Sequence, residues 1–144
     1  MNDSSLVDHY PIIAIVGRPN VGKSTLFNAL CGGHYAITSD ISGTTRDRHH
    51  RFTHLNSHAV ILVDTGGLEQ DSKFIQKALN AQAHAALDQA DVILWVVDGR
   101  TPLTRSDAEI ATHLRRQKQP VHVLINKLDS TELTQPLSHE VYAL

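Results

Sequence analysis

Eight consecutive residues near the start of the chain have the types and spacing of a loop that binds a polyphosphate. The segment Gly17-Arg-Pro-Asn-Val-Gly-Lys-Ser24 fits the pattern G-x-x-x-x-G-K-[ST]. Its glycines let backbone N–H groups approach phosphate oxygens closely. We expect Lys23 to reach the β- and γ-phosphates and the Ser24 hydroxyl to ligate Mg²⁺. An ordinary Gly/Pro turn is the alternative, and it is disfavoured because the motif lies between a predicted strand and a predicted helix.

A second motif, Asp64-Thr-Gly-Gly67, follows a later apolar stretch. A carboxylate at the end of a strand can hold Mg²⁺ through its water shell, and a glycine three residues on lets its N–H approach a γ-phosphate. Alone, the pattern D-x-x-G is more often a plain turn, and its position after a phosphate loop favours the functional interpretation. Thr44 and Thr45 lie between the two motifs. They could complete the coordination of Mg²⁺ or simply belong to a polar loop, and the sequence favours neither interpretation.

A third motif, Asn126-Lys-Leu-Asp129, follows the last apolar run. Guanine presents neighbouring N1–H and N2–H₂ donors, which the carboxylate of Asp129 can accept together. Adenine has an acceptor at N1 and no amine at C2, so a site built on these bonds discriminates by roughly 10⁴-fold. We expect Asn126 to tie the base to neighbouring loops and the stem of Lys127 to lie along the purine.

The elements that must position these motifs alternate along the chain. Apolar runs predict buried strands at residues 11–16, 58–64, 92–97 and 121–125, with an edge strand within 46–55. Helical periodicity predicts helices at 23–31, at 72–90 and around 106–118, the last beginning at an S-x-x-E capping box formed by Ser106 and Glu109. This order predicts an α/β fold with a mostly parallel sheet and helices on both faces, in which ligands bind at the carboxyl ends of strands. Each motif begins at such an end.

Composition and charge narrow the class of protein. The 144 residues suit one domain, predicted at 11–144 after a flexible tail at 1–10. The 13 Lys and Arg residues against 15 Asp and Glu give a formal charge of −2, so no direct nucleic-acid affinity is expected. One cysteine excludes an intrachain disulfide and favours a reducing, cytoplasmic location. The apolar runs are too short to cross a membrane, and no membrane partner is expected.

Five stretches are more specific than these general motifs: GRPNVGKSTLFNAL, SGTTRDR, VDTGGLE, ADVILWVVDGRTPLTRSDAEIATHLR and INKLD. They resemble the first of two tandem GTPase domains in the Der (EngA) family of bacterial ribosome-assembly GTPases. The resemblance runs from about residue 12 to residue 129, and the DTGG and VVDGR stretches favour the first domain over the second. It implies a P-loop NTPase fold, GTP or GDP and Mg²⁺ as ligands, and a switch that assists maturation of the large ribosomal subunit.

The resemblance implies a role for each residue that matches a family motif. The catalytic positions match Lys23, Asn20, Thr45 and Gly67. The magnesium ligands match Ser24, Thr45 and Asp64. The nucleotide-binding positions match Gly17, Arg18, Pro19, Asn20, Val21, Gly22, Lys23, Ser24, Thr25, Asp64, Thr65, Gly66, Gly67, Leu68, Asn126, Lys127, Leu128 and Asp129.

The residue directly after the second motif is apolar. Many related switches have a glutamine there that orients the attacking water, whereas this chain has Leu68. The resemblance therefore implies slow hydrolysis assisted by K⁺, held partly by Asn20, which would neutralise charge developing between the β- and γ-phosphates. An arginine of the same chain, from Arg46, Arg48 or Arg100, is the alternative.

Parts of the family's architecture have no counterpart in this sequence. They are a second GTPase domain, a KH-like domain and, beyond Leu144, the last strand and helix with a Ser-Ala stretch that closes over guanine. We therefore expect an incomplete guanine pocket and contact with the ribosome only through the full-length protein. Three alternative functions stay open: a module that senses GTP against GDP with incidental hydrolysis, another potassium-dependent GTPase such as a tRNA-modification GTPase, and an ATP-using P-loop protein, which Asp129 argues against.

Overall fold

The computed structural model describes residues 9–32, 49–66 and 81–127, together with residue 143. The strands are β1 (Ile12–Val16), β2 (His50–Leu55), β3 (His58–Asp64), β4 (Val92–Asp98) and β5 (Val121–Asn126). The helices are α1 (Lys23–Leu30), α2 (Ala81–Gln89) and α3 (Arg105–Leu114). Several predictions concern residues outside this part of the chain: most of the tail at 1–10, the start of the helix at 72–90, and Thr44, Thr45, Arg46, Arg48, Gly67, Leu68, Leu128 and Asp129.

The described strands form one five-stranded sheet in the order β2-β3-β1-β4-β5. β1 is parallel to both β3 and β4, and β4 is parallel to β5, while β2 runs antiparallel to β3. Asn56 and Ser57 join β2 to β3 with φ angles of 48° and 71°, the left-handed conformation that two-residue hairpin turns of type I′ require. The predicted mostly parallel sheet with an antiparallel edge strand is confirmed.

The central strand β1 separates two layers of core because successive side chains point to opposite faces of a strand. Ala14 and Val16 are fully buried on one face, where they pack with residues of α2 and α3 such as Leu87 and Ile110. The opposite face packs against α1 and the loop before it, through Ile15, Val21, Phe27, Leu62 and Val96. Fully burying one such aliphatic side chain stabilises a fold by about 1.5–3 kcal/mol, so both helical layers are held firmly to the sheet. The prediction of helices on both faces is confirmed.

The start of α3 lies slightly earlier than the sequence pattern predicted. Thr104 is the N-cap, with its hydroxyl accepting from Asp107 N at 3.3 Å and its own N–H donating to Asp107 Oδ2 at 2.8 Å. The predicted capping box of Ser106 and Glu109 is therefore wrong. Both pairs fit the spacing, but the backbone of Thr104 has the extended conformation of an N-cap (φ −97°, ψ 171°). Glu109 instead accepts from Arg105 Nε at 3.2 Å on the exposed face of the helix.

The contact between α2 and α3 includes two histidine rings, His84 and His113, whose centroids lie 4.7 Å apart. Burial, His84 and the positive charge of Arg116 lower the pKa of His113 below its usual value, with Glu109 opposing them. The unfolded chain therefore takes up this proton more readily than the folded protein does. We expect the free energy of unfolding to fall as pH decreases below about 6.5, and to be fully retained above it.

Chemical denaturation between about pH 7.5 and pH 5.5 measures this effect. His113→Gln should show a shallower loss of stability on acidification than the wild type. His122→Gln is the matched control, because His122 is exposed on β5. Equal pH slopes for the wild type and His113→Gln would contradict the prediction.

Candidate functional site

The loop between β1 and α1 requires glycine at two of its positions. A Cβ atom at Gly17 would lie 2.5 Å from the carbonyl oxygen of Val96 in β4. Gly22 has a φ of 97°, and a Cβ there would overlap the side-chain amide of Asn126. The loop is thus pressed against β4 on one side and against the third motif on the other, which leaves no room for a side chain at either glycine.

The N-terminus of α1 is open toward this loop. Gly22 occupies the N-cap position, and no described side chain caps the helix there. The first turn contains no acidic residue. The N–H groups of a helix first turn and the positive end of the helix dipole together favour an anion at this point. α3 differs in this respect, because the Thr104 side chain caps it and Asp107 places a carboxylate in its first turn.

Lys23 lies inside the site rather than at its surface. Its side chain is only 6% exposed, and its ammonium donates to the carbonyl oxygen of Gly17. On the other side, a Cβ at Gly66 would lie 2.8 Å from Lys23 Cε. Lys23 therefore occupies the space between the phosphate loop and the second motif. The expected contact of Lys23 with phosphate groups stays a prediction.

Ser24 and Asp64 bring two hard oxygen ligands together. The Ser24 hydroxyl donates to Asp64 Oδ2 at 3.2 Å, while Asp64 Oδ1 accepts from Gly66 N at 3.0 Å. The buried Thr65 hydroxyl donates to the carbonyl oxygen of Ile15 at 2.8 Å and so holds the end of β3 to β1. A hydroxyl beside a carboxylate is the kind of donor set that Mg²⁺ prefers, so the residues fit this ion.

The third motif lies over the phosphate loop. Asn126 Nδ2 donates to the carbonyl oxygen of Val21 at 2.9 Å, and Lys127 Nζ donates to that of Asn20 at 2.6 Å. Asn20 and Lys127 both have positive φ angles, 68° and 62°. Asn126 therefore contacts a neighbouring loop, while its expected role toward a base stays a prediction. Residues of all three motifs thus meet at one edge of the sheet.

Asp98 is a site residue that the sequence analysis missed. It is buried at the end of β4, and its Oδ2 lies 3.8 Å from Lys127 Nζ. Burial acts to raise the pKa of this carboxyl, but hydrogen bonds from Arg100 and the charges of Arg100 and Lys127 outweigh it and lower the pKa below its usual value. The signal was available, because Asp98, like Asp64, directly follows an apolar run in the sequence. Arg100 forms an ion pair with the same carboxylate, with its Nε 3.5 Å from Asp98 Oδ1.

The other motif residues of the loop are placed differently. Pro19 and Thr25 are exposed, and Val21 is fully buried in the core beneath the loop. Arg18 turns away from the loop toward α3, where its Nε lies 3.3 Å from Asp107 Oδ2. The backbone of Arg18 therefore remains in the phosphate loop while its side chain contacts another element.

Comparison with known proteins agrees with this geometry. The family model of the 50S ribosome-binding GTPases matches residues 12–127. The chain belongs to this GTPase family. It is similar to GTPase Der of Fusobacterium nucleatum subsp. nucleatum, with 48% identity over 135 residues, which are 93% of this chain and 31% of that protein. It is also similar to GTPase Der of Clostridium tetani, with 48% identity over 85% of this chain and 28% of that protein. The chain spans about a third of the length of these curated relatives.

Solved structures of related GTPases share the fold. A variant of Era from Aquifex aeolicus bound to GDP.AlF4- has a TM-score of 0.69 and 35% identity, covering 92% of this chain and 46% of that chain. Era in complex with MgGDPNP and part of 16S ribosomal RNA has a TM-score of 0.68 and 33% identity, covering 94% and 48%. The predicted resemblance to the Der GTPases and the predicted P-loop fold are confirmed. Within the described part of this GTPase-family chain, no helix has the length and apolar character to span a membrane.

Proposed function

We propose that this chain is a domain that binds GTP and hydrolyses it to GDP and phosphate. The observation that carries the proposal is that residues of the second and third motifs lie against the phosphate loop, which is the first motif. Lys23 donates to that loop from within, the Ser24–Asp64 pair borders it, and Asn126 and Lys127 cover it. Membership of a GTPase family and the nucleotides bound to the two Era structures support the same ligand class.

The residues around the loop suggest how a nucleotide would be held. Backbone N–H groups of the loop and of the first turn of α1 would donate to the phosphates. Lys23 would exchange the carbonyl oxygen of Gly17 for phosphate oxygens, a small movement since its Nζ already lies in the site. The Ser24 hydroxyl and Asp64, with Thr45, would hold Mg²⁺, which when bound neutralises charge on the β- and γ-phosphates. Gly67 would donate its N–H to the γ-phosphate, and Asp129 would accept from guanine.

Potassium is part of the proposal because the chain has Leu68 where a water-orienting glutamine would help hydrolysis. Asn20 lies at the exposed tip of the phosphate loop, held in the left-handed conformation with its carbonyl oxygen bonded to Lys127. A monovalent cation beside Asn20 would supply the positive charge that an arginine provides in other GTPases. Arg100 is a weaker candidate for that role since it already pairs with Asp98.

Single-turnover hydrolysis of GTP in potassium and in sodium buffers tests this proposal. We expect potassium to accelerate hydrolysis by at least about tenfold, equivalent to lowering the barrier by about 1.4 kcal/mol. Asn20→Ala should remove the acceleration, whereas Asn28→Ala, a matched change at an exposed position of α1, should retain it. GTP binding with negligible hydrolysis in either buffer would favour the alternative, a module that senses GTP against GDP.

The role of the whole protein is a separate proposal. The curated relatives are GTPases of the Der family, and the matched family is described as binding the 50S subunit. We propose that a full-length protein containing this domain assists maturation of the large ribosomal subunit in the cytoplasm. The net charge of −2 offers no basic excess for RNA, so this domain alone should not sediment with ribosomal subunits in either nucleotide state.

A further inference from the structure

Arg18 connects the phosphate loop to a helix that is distant in the sequence. Its Nε donates to Asp107 Oδ2 at 3.3 Å, and its Nη2 donates to Thr101 Oγ1 at 2.9 Å. Asp107 lies in the first turn of α3, and Thr101 lies in the segment between β4 and α3. One side chain of the loop thus contacts both the start of the helix and the segment that leads into it.

The acceptor of this contact is a buried carboxylate. Asp107 is only 1% exposed, and its Oδ2 also accepts from Thr104 N at 2.8 Å and from Thr104 Oγ1 at 3.0 Å. Its Oδ1 is buried and has no hydrogen-bond partner among the described residues. The ion pair is therefore largely shielded from water, where charge interactions are strong and the loss of one partner leaves the other uncompensated.

The end of β4 and the residue that follows it contact the third motif. Gly99 N donates to the carbonyl oxygen of Asn126 at 2.7 Å, and Asp98 Oδ2 lies 3.8 Å from Lys127 Nζ. The segment between β4 and α3 is anchored at its α3 end, because Ile110 and Leu114 are buried in the core. One continuous stretch, from the end of β4 to the first turn of α3, therefore contacts the third motif at its beginning and Arg18 of the phosphate loop further along.

We propose that the Arg18–Asp107 ion pair positions the phosphate loop and couples nucleotide binding to the first turn of α3. Lys23 is bonded to the carbonyl oxygen of Gly17, the residue directly before Arg18. When the Lys23 ammonium donates to phosphate oxygens instead, the carbonyl oxygen of Gly17 loses this hydrogen bond. The resulting shift of the loop backbone is transmitted to α3 by the adjacent Arg18. Coupling of two sites is reciprocal: a nucleotide that steadies the loop steadies α3, and loosening α3 weakens nucleotide binding. This inference rests on the proposed function.

Two measurements on the same variants test the coupling. Isothermal titration gives the affinity for GDP with Mg²⁺, and amide hydrogen exchange in the first turn of α3 is followed with and without GDP. Arg18→Met keeps the length of the side chain without its charge, and Asp107→Asn keeps an oxygen for the capping box. Arg18→Lys restores the charge without the fork that reaches Thr101. Arg105→Met is the matched control, because Arg105 is on the same helix turn and its side chain is 94% exposed.

In the wild type, GDP should slow amide exchange in the first turn of α3. Arg18→Met and Asp107→Asn should each weaken GDP binding by about fivefold or more and abolish the GDP-dependent slowing. The double variant should be no weaker than the weaker single variant, since both remove one interaction. Arg18→Lys should recover part of the affinity, and Arg105→Met should behave as the wild type.

The outcomes separate this inference from the proposed function. GDP binding that leaves exchange at α3 unchanged, or single effects that multiply in the double variant, would overturn the coupling alone. Absence of GDP binding by the wild type would overturn the proposed function and the coupling with it. If Asp107→Asn does not fold, Arg18→Met alone still distinguishes these outcomes, because it alters a loop residue and leaves the capping box intact.

Discussion

Replacing Lys23 with methionine is expected to remove GTP hydrolysis without a large loss of thermal stability. The ammonium of Lys23 is buried between the phosphate loop and Gly66. Loss of a preorganised positive group at the reacting phosphates lowers the rate by at least about 10²-fold. The thioether side chain of methionine fills much of the space taken by the lysine stem between the loop and Gly66, so we expect the variant still to fold.

Single-turnover kinetics and thermal denaturation without nucleotide measure the two halves of this prediction. Lys118→Met is the control, because Lys118 is exposed after α3 and should affect neither quantity. Hydrolysis within a few-fold of the wild type in Lys23→Met would mean that the loop does not bind the reacting phosphates. A large loss of thermal stability would mean that Lys23 serves the fold rather than the chemistry.

Replacing Asp129 with asparagine is expected to change the base that the domain prefers. A carboxylate accepts both N1–H and N2–H₂ of guanine, whereas an amide turns an N–H₂ donor toward the N2 amine. We expect roughly a 10²-fold loss of GDP affinity, from one lost charge-assisted bond and one unsatisfied donor. Xanthosine diphosphate should gain affinity, because its C2 carbonyl accepts from the new amide. Asn126 and Lys127, which precede Asp129 in the motif, already lie against the phosphate loop.

Competition titrations with guanosine, xanthosine and adenosine diphosphates measure this preference. The wild type should prefer GDP to ADP by roughly 10⁴-fold. Asp88→Asn, a matched change at an exposed position of α2, should leave the preference unaltered. An unchanged ratio of GDP to xanthosine diphosphate affinity in Asp129→Asn would show that Asp129 does not contact the base.

The strands were predictable because the hydrophobic pattern that indicates a buried strand is local in the sequence. A strand buried on both faces needs an uninterrupted apolar run, and β3 begins and ends where its run predicted, at His58–Asp64. The start of α3 was not predictable in the same way. Two overlapping pairs, Thr104 with Asp107 and Ser106 with Glu109, have the spacing of a capping box, and only the backbone conformation distinguishes them.

The candidate site likewise has one part that local sequence patterns predict and another part that depends on tertiary packing. Phosphate-binding motifs are contiguous, so Lys23, Ser24 and Asp64 could be named from the sequence and their juxtaposition inferred from the parallel sheet. The contact of Arg18 with Asp107 joins residues 89 positions apart, and no local pattern indicates it. This contact depends on the packing of α3 against β4, which sets the distance between Asp107 and the phosphate loop. The pairing of Asp98 with Lys127 depends in the same way on the neighbouring positions of β4 and β5.

The most direct test is whether one ligand reaches all three motifs at once. Amide resonances of the phosphate loop, the second motif and the third motif can be followed by NMR during a titration with GDP and Mg²⁺. Shifts in all three groups should follow a single binding curve with one dissociation constant, and an equal concentration of ADP should produce far smaller changes. Separate curves for the three motifs, or equal responses to GDP and ADP, would contradict a single guanine-nucleotide site at this edge of the sheet.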